Sequence, residues 1–75
     1  MKHTLKQHEM YLILDAYRAR KFNYKLGVQP ESEYLNDAET LIRYGLIVPC
    51  GYTENNTHLF ELTEHGVQFC EQQLK

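Results

Sequence analysis

The chain has 75 residues, of which 43% are hydrophobic and 24% are charged, and its formal net charge is −2 at pH 7. A chain of this length is too short for two independent cores, and a domain that buries only about 60% of its unfolded surface has little room for a deep active site. No apolar run approaches the roughly 20 residues that a membrane-spanning helix needs. The first ten residues also lack the apolar segment of a signal peptide, so we expect residues 1–75 to form a single cytoplasmic domain without a membrane partner.

The charges are unevenly distributed along the chain. Residues 1–25 contain six basic and two acidic side chains, a net charge of +4. Residues 26–74 contain eight acidic side chains and a single basic one, Arg43, a net charge of −7, and Lys75 adds one positive charge. Such asymmetry influences the choice of partner and the rate of association rather than the fold.

The first predicted element is a helix from about Thr4 to Arg20. Four apolar residues recur there at the spacing of one helix face, namely Met10, Ile13, Leu14 and Tyr17. Residues 21–29 are predicted to form either a short helix that ends at Gly27 or a loop. Glycine suits both interpretations because it adopts a positive φ without steric cost.

A second long helix is predicted from about Pro30 to Tyr44. Proline fits the first turn of a helix, and the following Gly45 is typical of a C-terminal cap. The side of this helix that faces the core is predicted to be a stripe of five residues: Tyr34, Leu35, Ala38, Leu41 and Ile42.

A β-hairpin is predicted next. Its first strand covers residues 46–48 and should stop at Pro49, because proline cannot donate a ladder hydrogen bond. The polar stretch Gly51–Thr57 reads as the connecting loop, and His58–Leu62 as the second strand.

A last helix is predicted after Thr63, whose hydroxyl is typical of an N-terminal cap. Val67, Cys70 and Leu74 share one face of that helix at helical spacing. The expected fold is therefore mainly α with a small two-stranded hairpin: helix, short helix or turn, helix, hairpin, helix.

Several of these runs resemble a known family. The run L-I-R-Y-G-L-I at Leu41–Ile47, the hairpin, and then F-E-L-T-E-H-G-V at Phe60–Val67 look like a winged-helix domain of the MarR or PadR type. K-L-G-V at Lys25–Val28 is similar to the helix-turn-helix corner, and the resemblance covers about residues 5–75. It implies that Pro30–Tyr44 is a DNA-recognition helix, that Gly51–Thr57 is the tip of the wing, and that the protein is a dimer that regulates transcription. Compact acidic chains of this kind also look similar to small phage or mobile-element accessory proteins.

The charges of the implied recognition helix favour a different partner. The side chains opposite its apolar stripe and on its flank are Glu33, Asn36, Asp37, Glu39, Thr40 and Arg43. Carboxylates at these positions would face phosphates in a DNA groove, and the wing contains no Lys or Arg. The pattern therefore favours a small regulatory or inhibitory protein that presents this helix to a basic surface on a protein partner. The alternatives are a DNA-binding regulator, in which Asn36, Thr40 and Arg43 read bases, and a solvated helix face with no role in binding.

Four basic residues cluster near the end of the first predicted helix: Arg18, Arg20, Lys21 and Lys25. They are candidate phosphate-binding residues under the DNA-binding interpretation. The alternative is that these residues only stabilise the helix itself, because cations near a helix C-terminus each stabilise it by about 0.3–1 kcal/mol.

The sequence contains no motif for catalysis or metal binding. No C-x-x-C or H-x-x-x-H pair occurs, and there is no glycine-rich phosphate loop or nucleophile motif. We therefore expect no enzymatic activity, no cofactor, no metal and no small-molecule substrate. Cys70 is predicted to be a small core residue, and Cys50 to be exposed, both in reduced form. A metal or redox sensor that uses these cysteines is the least favoured class.

Four aromatic residues lie off the predicted apolar stripes: Tyr11, Tyr44, Tyr52 and Phe69. Exposed tyrosines are enriched at protein interfaces. An exposed phenylalanine on the last helix would be a candidate contact in a homodimer. The alternative is that the first helix covers Phe69.

Overall fold

The structure is a computed structural model, and it describes residues 4–73 of the chain. Within those residues it contains three helices and three strands, which in chain order are α1 (Gln7–Lys21), β1 (Leu26–Val28), α2 (Tyr34–Arg43), β2 (Ile47–Tyr52), β3 (His58–Leu62) and α3 (Glu64–Gln73). The strands form an antiparallel sheet in the order β1-β3-β2. The fold is therefore mixed α/β, whereas the sequence predicted a two-stranded hairpin among helices.

The core lies where α1 contacts the other two helices, β1 and β3. The largest fully buried side chains of the core are Ile13, Leu41, Leu46, Ile47 and Cys70. The thiol of Cys70 on α3 faces the carbonyl oxygen of Ile13 on α1, with the sulfur 3.8 Å from that oxygen. The prediction that Cys70 is a core residue is confirmed, whereas Leu74, which was predicted to share its face, lies outside the described residues.

Helix α1 begins at Gln7, three residues later than the sequence predicted, because Glu9 closes its first turn. The backbone N–H of Lys6 donates to Oε1 of Glu9 at 3.0 Å. This bond satisfies a backbone donor that has no partner within the helix. The Glu9 side chain is buried, so the carboxylate is held within the domain.

The prediction of a short helix or loop at residues 21–29 is wrong in part, because Leu26–Val28 forms strand β1. Leu26 pairs with Phe60 and Val28 with His58, and both leucine and valine are buried while Gly27 is exposed. Lys25–Val28 is therefore not a helix-turn-helix corner. A three-residue alternation is too short to predict a strand, and the partner strand lies far away along the chain.

Helix α2 begins at Tyr34 rather than at Pro30, so Pro30 is not in its first turn. Residues 29–33 form a turn instead, in which the N–H of Ser32 donates to the carbonyl of Gln29 at 3.1 Å. The hydroxyl of Ser32 then accepts a hydrogen bond from the N–H of Tyr34 at 3.1 Å. This bond gives a partner to a backbone N–H that has none within the helix, although the N-cap residue itself is Glu33.

The end of α2 confirms the predicted glycine cap. Gly45 has a φ of 76°, a conformation that side chains with a Cβ rarely adopt. Its N–H donates to the carbonyl of Ile42 at 2.9 Å, and the N–H of Leu46 donates to that of Leu41 at 3.0 Å. This pair of hydrogen bonds is the Schellman motif, and it turns the chain directly into the hairpin.

Strand β2 continues through Pro49 to Tyr52, so the prediction that proline ends it is wrong. The strand lies at the edge of the sheet and pairs only with β3, and an edge strand tolerates proline. A bulge between Pro49 and Gly51 leaves Cys50 outside the regular register.

The hairpin loop is shorter than the predicted Gly51–Thr57, since only residues 53–57 connect the two strands. The second strand agrees with the predicted His58–Leu62.

The start of α3 confirms Thr63 as a cap. Its Oγ1 accepts a hydrogen bond from the N–H of Gly66 at 2.9 Å. Gly66 itself lies against Leu46, the residue before β2, because a Cβ at that position would be 2.1 Å from the carbonyl oxygen of Leu46. The close approach of α3 to the first residues of the hairpin therefore depends on a glycine. Within residues 4–73 no helix is long and apolar enough to cross a membrane.

Candidate protein-binding surface

One side of α2 faces solvent and carries mostly polar and acidic side chains. We call this surface the acidic face; it consists of Glu33, which is the N-cap residue just before α2, together with Asn36, Glu39, Thr40 and Arg43. Four of these residues are exposed, and Thr40 is half-buried. The hydroxyl of Thr40 donates to the carbonyl of Asn36 at 3.2 Å within the helix.

The opposite side of α2 fixes the orientation of the acidic face. Ala38 and Leu41 are fully buried, and Leu35 and Ile42 pack against the core beside them. Rotation of the helix would expose these apolar side chains to water. The acidic face is therefore held in one orientation before any partner binds.

Asp37, which the sequence placed on the flank, is turned toward α1. Its Oδ2 lies 4.0 Å from Nδ1 of His8, and its side chain is only 20% exposed. The ring of His8 also lies against Tyr34, with 5.3 Å between the ring centroids. Asp37 therefore contacts a neighbouring helix, whereas Glu33 and Glu39 face solvent.

Exposed apolar and aromatic side chains lie on the elements next to the acidic face. The large exposed ones from α2 to the end of β2 are Tyr34, Tyr44, Val48 and Tyr52. The exposure predicted for Tyr44 and Tyr52 is confirmed, as is that of Tyr11, whereas Tyr34 was predicted to face the core. The sequence has no Lys or Arg between Tyr44 and Leu74, so the hairpin and α3 carry no permanent positive charge.

The four candidate phosphate-binding residues lie at or beyond the C-terminal end of α1. Arg18 contacts Asp15 at 3.5 Å, and the ammonium of Lys21 lies 4.9 Å from the ring centroid of Tyr17. Lys25 forms an ion pair with Glu61 on β3, and this hydrogen bond raises the pKa of Lys25. Three of the four cations therefore interact with side chains of the domain itself.

Of the two alternatives for Phe69, an exposed dimer contact and a side chain covered by the rest of the domain, the structure shows the second. The side chain of Phe69 is only 7% exposed and belongs to the buried core cluster. Side chains on a short helix that packs against both α1 and β3 are buried over a wider arc than a single stripe. The reason for naming Phe69 as a candidate homodimer contact therefore disappears.

Neither cysteine has the environment of a reactive thiol. Cys50 is exposed, as predicted, and partial burial together with the charge of Glu61 raises its pKa. Burial, with a smaller contribution from Glu71, raises the pKa of Cys70 to about 11. Both thiols are therefore protonated at neutral pH, whereas the thiolate is the nucleophilic form.

Among residues 4–73 no group of three His, Cys, Asp or Glu side chains could hold a metal ion. His3 lies outside this range.

Sequence reasoning missed two exposed aromatic residues in the turn between α1 and β1. Phe22 is 67% exposed and Tyr24 is 72% exposed. A cleft of about 460 Å³ lies beside Tyr24, between the end of α1 and β3. The available signal was the run R-K-F-N-Y-K, in which basic residues stand on both sides of two aromatic ones.

No protein-family model, curated protein or solved structure matches this chain. Its function is therefore inferred from the geometry and charge of the surfaces described above.

Proposed function

We propose that this chain is a small, non-enzymatic regulatory or inhibitory protein of the winged-helix type, which presents α2 to a basic surface on a protein partner. The observation that carries the proposal is the acidic face. Glu33 and Glu39 are exposed on a helix whose other side is fixed in the core. The proposed partner carries Lys and Arg side chains that pair with these carboxylates.

Three consecutive features support the winged-helix type. Helix α2 ends in the Gly45 cap, a hairpin follows directly, and Thr63 caps the next helix. The arrangement departs from the expected pattern before α2, where strand β1 stands in place of the short helix. Helix α2 is therefore supported by α1 and the hairpin rather than by a preceding helix in a helix-turn-helix.

The charges support a protein partner over duplex DNA. A protein that lies in a DNA groove contacts phosphates on both sides, mainly through Lys, Arg and neutral donors. Between Pro30 and Leu74 the chain has Arg43 as its single Lys or Arg, and this stretch includes α2 and the whole hairpin. The basic cluster lies at or beyond the C-terminal end of α1, so it adds no cation to α2 or to the hairpin.

The same arrangement suits binding to a basic protein. Complementary charge steers the encounter and fixes the orientation of the two surfaces. The exposed rings of Tyr34 and Tyr44 lie at the two ends of α2 and supply apolar contact area. A helix that is already ordered also loses little conformational entropy when it binds.

A charge-reversal pair tests the proposal. The double variant Glu33→Lys/Glu39→Lys removes the acidic face, and Glu54→Lys/Glu71→Lys makes the same change in net charge at exposed positions on the hairpin and α3. Each protein is used to capture partners from an extract of the source organism, and bound proteins and nucleic acids are identified and quantified. We expect a basic protein that is retained by the wild type and by the control variant, and lost with the Glu33→Lys/Glu39→Lys variant.

Two results would contradict the proposal. One is a partner that stays bound when the acidic face is reversed. The other is duplex DNA bound by the wild type and lost on reversal of Arg18, Arg20 and Lys21 to Glu, with tighter DNA binding by the Glu33→Lys/Glu39→Lys variant. The second result would support the DNA-binding regulator, because added lysines create new phosphate contacts.

A further inference from the structure

The turn between α1 and β1 displays two aromatic rings to solvent. Phe22 and Tyr24 are among the most exposed large hydrophobic residues of the described chain, at 67% and 72%. Exposed apolar side chains that lie close together mark interaction sites more often than isolated ones do. Because only Asn23 separates them, their Cα atoms are at most about 7 Å apart.

Backbone hydrogen bonds hold this turn in a defined conformation. The N–H groups of Phe22 and Tyr24 both donate to the carbonyl of Ala19, at 3.1 and 2.8 Å. The N–H of Asn23 donates to the carbonyl of Arg20 at 3.1 Å, and Asn23 has a φ of 63°. Asparagine tolerates this left-handed conformation better than most residues do. The two rings are therefore presented by a fixed turn.

Basic side chains flank the two rings on both sides. Arg20 and Lys21 precede Phe22, and Lys25 follows Tyr24; all three are exposed. The ion pair with Glu61 positions the Lys25 ammonium, which has three N–H donors and can contact a second acceptor. This end of α1 is therefore positively charged, although the whole chain carries a net charge of −2.

The cleft beside Tyr24 is lined mainly by polar side chains. Its polar lining residues are Arg20, Asn23, Tyr24, Lys25 and Glu61, and its apolar ones are Ala16, Phe60 and Leu62. Its volume of about 460 Å³ lies within the range of roughly 300–1,000 Å³ that small-ligand sites occupy. The side chains offer both donors and acceptors of hydrogen bonds. Both kinds of group can bind the base edges and phosphates of a nucleotide.

We propose that this turn and its cleft bind single-stranded nucleic acid. Unpaired bases stack on the rings of Phe22 and Tyr24, and Arg20, Lys21 and Lys25 contact the phosphates. Aromatic side chains within a basic surface are the usual means by which proteins hold single strands without sequence preference. A duplex would not bind in this way, because its bases are stacked on one another and a turn does not fill a groove as a helix does.

This site is separate from the acidic face. The contact between His8 and Asp37 places the start of α2 near the start of α1, and Arg20 lies about 18 Å further along α1. At physiological salt the Debye length is about 8 Å, so the carboxylate of Glu33 on the acidic face is largely screened from the turn. Protein binding by the acidic face and nucleic-acid binding by the turn can therefore be tested separately, and one can fail without the other.

Fluorescence anisotropy tests the proposal with defined probes. The full chain is titrated into labelled 12-nucleotide DNA and RNA strands of mixed sequence, into the corresponding DNA duplex, and into an acidic peptide that contains tyrosine. We expect both single strands to bind more tightly than the duplex and the peptide. Since about three phosphates are contacted, the logarithm of affinity should fall with the logarithm of salt concentration with a slope of about −2.

Two variants test whether single-strand binding depends on the rings of this turn. Phe22→Ala/Tyr24→Ala is expected to weaken single-strand binding by at least about tenfold, because each stacked base contributes on the order of 1–3 kcal/mol. Tyr52→Ala is the matched control, since it removes an aromatic ring that is 68% exposed on the hairpin. It should leave binding unchanged. Circular dichroism of both variants should match that of the wild type, because the replaced side chains lie at the surface.

Three results would overturn the proposal. The first is no single-strand binding by the wild type at low salt. The second is an acidic peptide or a duplex that binds as tightly as the single strands. The third is equal weakening by Tyr52→Ala and by the double variant. If the double variant fails to fold, Arg20→Gln/Lys21→Gln replaces it, and a salt slope that stays unchanged contradicts the proposal.

Discussion

Oγ1 of Thr63 lies 2.6 Å from the carbonyl oxygen of Gly45 and donates a hydrogen bond to it. The same hydroxyl oxygen accepts a bond from the N–H of Gly66 in the first turn of α3. One side chain thus connects the end of α2 to the start of α3 across the two ends of the hairpin. The orientation of the acidic face relative to the rest of the domain depends in part on this connection.

Replacement of Thr63 by valine keeps the shape of the side chain and removes the acceptor of the Gly66 N–H together with the donor that the carbonyls of Gly45 and Leu46 share. We expect a loss of about 2 kcal/mol in the free energy of unfolding, at the upper end of the cost of losing a helix cap, because these backbone carbonyls also lose their donor. Urea unfolding followed by circular dichroism measures the change. Thr40→Ala is the control, since that hydroxyl bonds only within its own helix and its removal should change stability by no more than about 0.5 kcal/mol.

Gly66→Ala should reverse the usual effect of this substitution. Alanine in place of glycine within a helix ordinarily stabilises it by about 1 kcal/mol. A Cβ at position 66 would lie 2.1 Å from a backbone carbonyl oxygen, so α3 must move away from the hairpin. We expect a net loss of about 2 kcal/mol in the same unfolding experiment. A more stable Gly66→Ala variant would contradict the close approach of α3 to Leu46.

Phe69 should contribute to stability rather than to assembly. Truncation of a buried phenylalanine typically costs about 3–5 kcal/mol, and Phe69 lies in the core cluster. We expect Phe69→Ala to unfold at a much lower urea concentration than the wild type. Light scattering should give the same molecular mass for the wild type and for any folded fraction of the variant. A wild-type dimer that the substitution converts into a stable monomer would contradict the burial of this ring.

The buried thiol of Cys70 should make stability fall at alkaline pH. Burial raises its pKa from 9.0 to about 11. Between these values the unfolded chain releases the proton while the folded chain retains it, so an increase in pH favours unfolding. We expect the difference in unfolding free energy between the wild type and Cys70→Ala to shrink as the pH rises from 9 to 11. A difference that is independent of pH would show that the thiol titrates normally in the folded protein.

The sequence by itself determined the elements whose signals are local. The strand His58–Leu62 and the caps at Gly45 and Thr63 agree with the prediction, because each depends on residues within a few positions of one another. The acidic side chains of α2 could also be identified from helical spacing alone. Their solvent exposure follows from the apolar residues on the opposite side of the same helix.

Only the tertiary structure decided which isolated residues join the core or the sheet. Leu26–Val28 becomes a strand because β3 supplies its hydrogen bonds, and Pro49 stays within β2 because that strand lies at an edge. Phe69 is buried because α3 packs against α1 and β3 together. Phe22 and Tyr24 are left exposed because the turn after α1 carries them beyond the packed elements. Each outcome depends on contacts between distant parts of the chain, and the periodicity of a short segment contains no information about its distant partners.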